Sequence, residues 1–237
     1  MSGQIVCIVA AAGRGSRFGR EMPKSFYPVE GRPILAWSLR ALGAWGGISS
    51  FIVMVPSGWE SEAERELASE IRGPMHQVLV GGETRQESVA IGLGAVKNAD
   101  IIIVHDACRP IVSAALIARV VEAAREHGAA VPVLAVTETL GRLRDEALEG
   151  IVPRERVVGI QTPQGFRFDV LSRAFKVAED AIRTATDESS LVLAAGFPVR
   201  VVEGEVWNIK VTVKEDLEIM SSFLAGKKLE CPPREGE

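Results

Sequence analysis

Ile5-Val6-Cys7-Ile8-Val9 runs directly into Ala10-Ala11-Ala12-Gly13-Arg14-Gly15-Ser16-Arg17-Phe18-Gly19, and Met22-Pro23-Lys24 follows closely. The apolar run reads as a buried parallel strand. The small residues after it let backbone amides approach an anion, and Arg17 and Lys24 add positive charge, so the segment suits a nucleoside triphosphate. The loop lacks the Gly-Lys-Ser/Thr ending of a P-loop. The third glycine of a dinucleotide fingerprint would fall where Phe18 stands, with Gly19 one place late. The alternative is a glycine-rich first turn of an ordinary α/β domain; the pairing of Arg17 with Lys24 favours the anion cradle.

Outward from this loop, strand-like runs recur at Ile5 to Ala10, Phe51 to Val55, Gln77 to Val80, Ile101 to Val104, Ala130 to Val133 and Val199 to Val202, with helical patterns between most of them. That alternation predicts an α/β fold, a mainly parallel twisted sheet with helices on both faces. Pro33 opens a helix carrying Ile34, Leu35, Trp37, Leu39 and Leu42, with Gly43 near its end. Residues 1–226 read as one domain. Within it, 136–159 break the alternation: Thr137, Thr139, Leu140, Leu143, Ile151, Val152, Val157 and Val158 mix with charges and the turn formers Gly141 and Gly150, which predicts a two-stranded β-arm. A lone hairpin is marginal in water, so this one packs either on a partner subunit or back on its own domain. Residues 227–237 form a polar, proline-bearing tail expected to fray.

A chain of 237 residues is long enough to bury a substantial core. Its net charge of -4 and pI near 5.6 argue against a nucleic-acid-coating surface and leave room for a local basic pocket for small anions. Cys7, Cys108 and Cys231 are odd in number and scattered, which suggests neither a disulfide framework nor a zinc site and suits a reducing cytoplasm. The first residues carry no basic n-region or cleavage site, and no apolar run reaches membrane-spanning length.

Further segments carry chemistry. In Gly81-Gly82-Glu83-Thr84-Arg85-Gln86-Glu87-Ser88-Val89 the glycines permit close backbone approach and Ser88 offers a hydroxyl to a base or ribose; the same residues also spell a strand-to-helix turn with Thr84 as N-cap and Glu87 completing a capping box. The strand Ile101 to Val104 leads to His105-Asp106-Ala107-Cys108-Arg109-Pro110. Ligands gather at the carboxyl ends of strands in open α/β sheets, so Asp106 is placed to hold Mg²⁺ against phosphate oxygens and Arg109 to bind a second anion; a surface Asp-Arg pair is the plainer alternative. Thr162-Pro163-Gln164, Thr186-Asp187-Glu188 and Asn208-Ile209-Lys210 follow in order. Thr186-Asp187-Glu188 can equally be a helix N-terminus, and Lys210 a solvated strand residue.

Taken together, these segments resemble the 2-C-methyl-D-erythritol 4-phosphate cytidylyltransferases of the non-mevalonate isoprenoid pathway, over nearly the whole chain. The resemblance implies a Rossmann-like nucleotidyltransferase that joins CTP to the sugar-alcohol phosphate, releasing pyrophosphate, with Mg²⁺ as cofactor. It assigns CTP binding to Ala11, Ala12, Gly13, Gly82, Glu83 and Ser88, the metal to Asp106 and transition-state stabilisation to Arg17 and Lys24. Around the acceptor it places Arg109, Thr139, Arg154, Thr186, Asp187 and Lys210, with Thr139 and Arg154 reaching across from the arm of a second subunit in a homodimer. Pro153-Arg154-Glu155-Arg156 offers two arginines for that role, and Ser25 stands where a glutamine is common. A cytidylyltransferase for another polyol phosphate, such as ribitol 5-phosphate, would share the cradle. A non-catalytic nucleotide-binding module would share the fold.

Overall fold

The computed structural model describes residues 3–13, 22–72, 76–177 and 185–225. Arg17, with the rest of 14–21, and the tail 227–237 lie outside them. The first strand, β1 (Ile5–Ala10), is followed by a 3-10 turn at Lys24–Phe26, a small ribbon of β2 (Pro28–Val29) with β3 (Arg32–Pro33), and helix α1 (Ile34–Ala44). Next come β4 (Ser50–Val55), α2 (Glu60–Glu70), β5 (Gln77–Val80), α3 (Arg85–Ala95), β6 (Ile101–Asp106), α4 (Ala114–His127) and β7 (Ala129–Ala135). A hairpin of β8 (Leu140–Arg144) and β9 (Ala147–Val152) precedes β10 (Val158–Ile160) and β11 (Gln164–Arg167). The chain then continues through α5 (Phe168–Val177), α6 (Glu188–Ala194), β12 (Arg200–Glu203) and α7 (Glu215–Leu224).

The main sheet runs β10-β7-β11-β6-β1-β4-β5, with β12 also on β7. Pairs β6-β1, β1-β4, β4-β5 and β12-β7 are parallel, as the strand-helix alternation predicts. The exceptions are β10 and β11, which pair antiparallel. The chain goes from β1 to β4 on one side and comes back to β6 on the other. The carboxyl ends of β1 and β6 therefore flank a topological switch point, with Ala10 in register with Asp106.

Two faces must be covered, and the strands are apolar on both. Cys7, Val9, Phe51, Val53, Ile101 and Ile103 pack with Leu35, Leu39, Leu67, Leu116 and Val120 from α1, α2 and α4. The alternating set Val6, Ile8, Ile52, Met54, Ile102 and Val104 packs with Val89, Leu171, Phe175 and Leu191 from α3, α5 and α6. Such continuous apolar runs mark strands buried on both sides. A smaller cluster of Val29, Ile34, Cys108, Val211 and Met220 ties α7 to the β2-β3 ribbon and to the loop after β6.

The hairpin of β8 and β9 forms a separate two-stranded sheet within the stretch the sequence marks as an arm. It has no such core: Leu143, Leu148 and Ile151 are 67%, 71% and 64% exposed.

Candidate functional site

Two depressions open at the carboxyl ends of β1 and β6. The first is lined by Ala11, Ala12, Gly13, Lys24, Gly82, Glu83, Ser88 and Asp106, along with Thr84, Arg85, Cys108 and Lys210. The second is lined by Arg109, Thr186, Asp187 and Lys210, with Arg85, Asp106, Thr162 and Gln164. Every expected nucleotide-binding position thus lines one cavity. Four of the expected acceptor positions line the other. Arg85, Asp106 and Lys210 belong to both.

The first cavity is built by close approach of two loops. A side chain at Gly81 would place its Cβ 2.4 Å from the Cβ of Ala12 and 2.6 Å from Ser88 Oγ, so only glycine allows the contact. A Cβ at Gly13, by contrast, would meet nothing within 4 Å among the described residues. The capping box foreseen at the start of α3 is present: Thr84 Oγ1 accepts from the Glu87 amide, and Glu87 accepts from the Thr84 amide. Ser88 Oγ accepts from the Gly82 amide and donates to the Thr84 carbonyl, so this hydroxyl shapes the loop. Lys24 begins the 3-10 turn, whose buried Ser25 donates to the Ala11 carbonyl at 2.9 Å and fastens the turn to the loop after β1.

Asp106 sits where the two cavities meet, and it is a buried carboxylate rather than half of a surface pair. Lys210 Nζ lies 2.7 Å from its Oδ2 and Arg85 Nε 2.8 Å from its Oδ1, while Arg109 Nε stands at 3.9 Å. Burial works against the charge, but Arg85 and Lys210 outweigh it and hold the carboxyl well below the usual carboxylate range. Lys210 is positioned by a pinned segment. Asn208 Nδ2 donates to the Thr162 carbonyl at 2.7 Å, Arg109 donates to the Asn208 carbonyl at 2.7 Å, and the Val211 amide donates to the Cys108 carbonyl at 2.8 Å.

His105, one residue before Asp106, is fully buried. Its Nε2 lies 3.0 Å from the Arg109 carbonyl and its Nδ1 3.2 Å from Thr162 Oγ1, which accepts from the Asp106 amide. A carbonyl only accepts, so Nε2 carries the proton and Nδ1 is left to accept from the threonine. Burial moves the imidazole pKa down to about 4. This histidine is a neutral structural link. Cys108, also against the first cavity, is pushed up to about 11 by burial, with Lys24 pulling the other way, and is therefore a thiol at neutral pH.

Asp187 serves as the N-cap of α6, as its sequence context allows. It accepts from the Ser190 amide at 2.9 Å and from Gln164 Nε2 at 2.8 Å while lining the second cavity. Thr139 and Arg154 line neither cavity. They flank the exposed hairpin, where Arg154 donates to the Thr137 carbonyl. Arg85, which lines both cavities, and its partner Glu188 stand inside Gly81–Val89 and Thr186–Glu188, yet sequence reasoning assigned neither a role in the site. Glu188 opens a helix, where an acid is ordinarily explained by the helix dipole, whereas Arg85 opens one against the dipole.

A sheet switch point, two confluent cavities that open on it and a surplus of cations around one carboxylate are the features of a nucleotidyltransferase of Rossmann-like architecture. The comparisons with known proteins agree. Residues 5–225 match the family described as IspD: 2-C-methyl-D-erythritol 4-phosphate cytidylyltransferase. The enzyme of that name from Thermus thermophilus is 41% identical over 220 residues, covering 93% of this chain and 97% of the relative. That from Acidobacterium capsulatum is 38% identical, with the same coverage. The bifunctional enzyme IspD/IspF of Desulfotalea psychrophila is also 38% identical, but the chain spans only 57% of its length. Among solved structures, the Thermus thermophilus cytidylyltransferase superposes with a TM-score of 0.78, covering 94% of this chain and 99% of that one. The chain belongs to the 2-C-methyl-D-erythritol 4-phosphate cytidylyltransferase family, whose members are CTP-dependent nucleotidyltransferases of isoprenoid biosynthesis.

Proposed function

We propose that the two confluent cavities carry out the transfer for which this family is named, with CTP in the cavity of Ala11, Gly13 and Gly82 and the acceptor phosphate in that of Arg109, Thr186 and Lys210. The observation that carries this assignment is the junction itself. Arg85, Asp106 and Lys210 line both cavities, so ligands in the two would meet there. An acceptor phosphate oxygen attacks the α-phosphorus of CTP, the new P–O bond forms, and the bond to the β-phosphate bridging oxygen breaks, with pyrophosphate leaving. The nucleophile is already ionised at neutral pH, so no general base is needed. Positioning and charge neutralisation dominate.

Lys24, with Arg17 seven places before it in the sequence, offsets charge on the pentacoordinate phosphorus. Lys210 and Arg109 hold the acceptor phosphate against the repulsion of the triphosphate. The described residues contain no cluster of three or more His, Cys, Asp or Glu side chains fit for a metal. A divalent cation would therefore rest on Asp106 and on phosphate oxygens, an arrangement Mg²⁺ favours because it takes few carboxylates and keeps waters. Asp106 Oδ1 and Oδ2 each keep a lone pair beyond their bonds to Arg85 and Lys210. When bound, the ion would supply further neutralisation of the triphosphate.

The exposed apolar side chains of the β8-β9 hairpin support a homodimer in which Thr139 and Arg154 complete the partner's acceptor site. A cytoplasmic setting accords with the scattered cysteines; among the described residues no helix is long and apolar enough to cross a membrane. The direct test is pyrophosphate release with a panel of nucleoside triphosphates against 2-C-methyl-D-erythritol 4-phosphate and ribitol 5-phosphate. Turnover is expected with CTP and the methylerythritol phosphate. Equal turnover with ribitol phosphate, or none with CTP, would defeat the assignment.

A further inference from the structure

Glu188, the first residue of α6, is 0% exposed and lines neither cavity. Arg85 Nη1 donates to both of its carboxylate oxygens, at 2.7 and 3.0 Å, and to Gln86 Oε1 at 3.0 Å. Through Nε the same guanidinium donates to Asp106 at 2.8 Å. One planar group thus bridges a carboxylate at the junction of the cavities and a carboxylate in the core.

A buried ion pair is a poor source of stability, because desolvating both charges offsets most of their attraction. An apolar pair would hold α3 against α6 as well. It could not fix the direction of the Asp106 carboxylate, and neither could a lysine, which lacks the rigid fork. Chain position adds a second point. Arg85 directly follows Gly82, Glu83 and Thr84 of the nucleotide cavity, and Glu188 directly follows Thr186 and Asp187 of the acceptor cavity. The Arg85–Glu188 bridge therefore joins the two loops behind the junction. Ser189 reinforces the acceptor end, its amide donating to Gln164 Oε1 at 3.2 Å and its hydroxyl to Asp187 at 2.9 Å.

Resting on the assignment of the two cavities above, we infer that Arg85, clamped by Glu188, is a positioning residue that aims Asp106 and couples the acceptor half of the site to the nucleotide half. Glu188 then matters to a nucleotide it does not touch.

The experiment compares Glu188→Gln, Arg85→Lys and the double variant Arg85→Met with Glu188→Leu. It measures steady-state kcat and KM for both substrates, CTP affinity by calorimetry without acceptor, and melting temperature. Glu188→Gln is expected to lower kcat about 10-fold and to weaken CTP binding measurably, since small misplacement in a site of this kind is costly. The double variant removes the Arg85–Glu188 pair but leaves the buried Asp106 carboxylate with Lys210 as its one close cation among the described residues, so it should stay folded and melt below the wild type while kcat falls about 100-fold. Arg85→Lys should not restore kcat. Wild-type kcat and CTP affinity in Glu188→Gln, in a folded double variant or in Arg85→Lys would overturn the inference. If the double variant does not fold, Glu188→Gln decides alone. Absence of turnover in the wild-type chain would instead defeat the cavity assignment, and the calorimetric measurements still read the coupling.

Discussion

His105 gives the sharpest quantitative test of the site's architecture. Its imidazole is completely buried, and its pKa falls from an ordinary 6.5 to about 4, chiefly through burial, with Arg109 and Arg85 adding to the fall and the Arg109 carbonyl and Asp106 opposing it. A histidine with a lowered folded pKa binds its proton more readily in the unfolded chain. Its contribution to stability is therefore full above the ordinary pKa and is lost as pH drops through the window between the two values. At ~1.36 kcal/mol per unit, the shift amounts to about 3 kcal/mol, of which about 2 kcal/mol is gone by about pH 5. Two neighbouring carboxyls also titrate on acidification. Asp106, held low, stabilises the fold at neutral pH and loses that contribution only in stronger acid. Glu188, raised by burial against the pull of Arg85, has the opposite sign. Comparing wild type with His105→Gln at each pH cancels both to first order. Gln keeps a donor for the Arg109 carbonyl and cannot titrate. Urea unfolding at several pH values should show the wild type losing about 2 kcal/mol relative to His105→Gln between neutral pH and about pH 5. With only three histidines in the chain, the His105 ring is also assignable by NMR. A stability difference independent of pH, or a His105 ring titrating near its ordinary value in the folded protein, would refute the reasoning.

Lys24→Ala should lower kcat by about 100- to 1000-fold while CTP affinity changes only a few-fold, because the charge it offsets develops in the transition state; calorimetry beside steady-state kinetics separates the two. Arg154→Ala and Lys24→Ala should each be inactive alone, yet mixed dimers should regain part of the activity, since one of the two shared sites is then intact; no recovery in verified heterodimers counts against a site completed by the partner's arm. Phe166, fully buried on β11 between β6 and β7, should cost about 3–5 kcal/mol when cut to Ala, read as a lower urea midpoint. Thr84→Ala removes one half of the capping box and should cost about 1 kcal/mol by the same measurement.

The lining of the first cavity was largely legible because most of its residues fall in two short stretches of chain. A buried strand, a loop of small residues and a nearby lysine share one stretch of chain, and the glycines at 81–82 announce a second close approach. The helix caps at Thr84 and Asp187 were legible for the same reason: capping is a contact between residues a few places apart. Strand β11 was not foreseen. Gln164-Gly165-Phe166-Arg167 is short and has little alternation of its own, and it becomes a strand by filling a gap between β6 and β7 that exists only once the sheet has formed.

The sequence by itself determined the mainly parallel α/β sheet, through apolar runs that suit strands covered on both faces, and the small residues and cations that line the first cavity at the strand ends. Only the tertiary structure decided that Asp106 is shared between two cavities, that Lys210 and Arg85 grip its two oxygens, and that Glu188 lies behind them in the core. Those contacts join residues more than twenty or a hundred positions apart. Their strength depends on burial, which no local pattern of residue types specifies: the same Arg and Glu would be a solvated pair of little worth on an exposed helix, whereas here the Glu188 end of the bridge is fully buried.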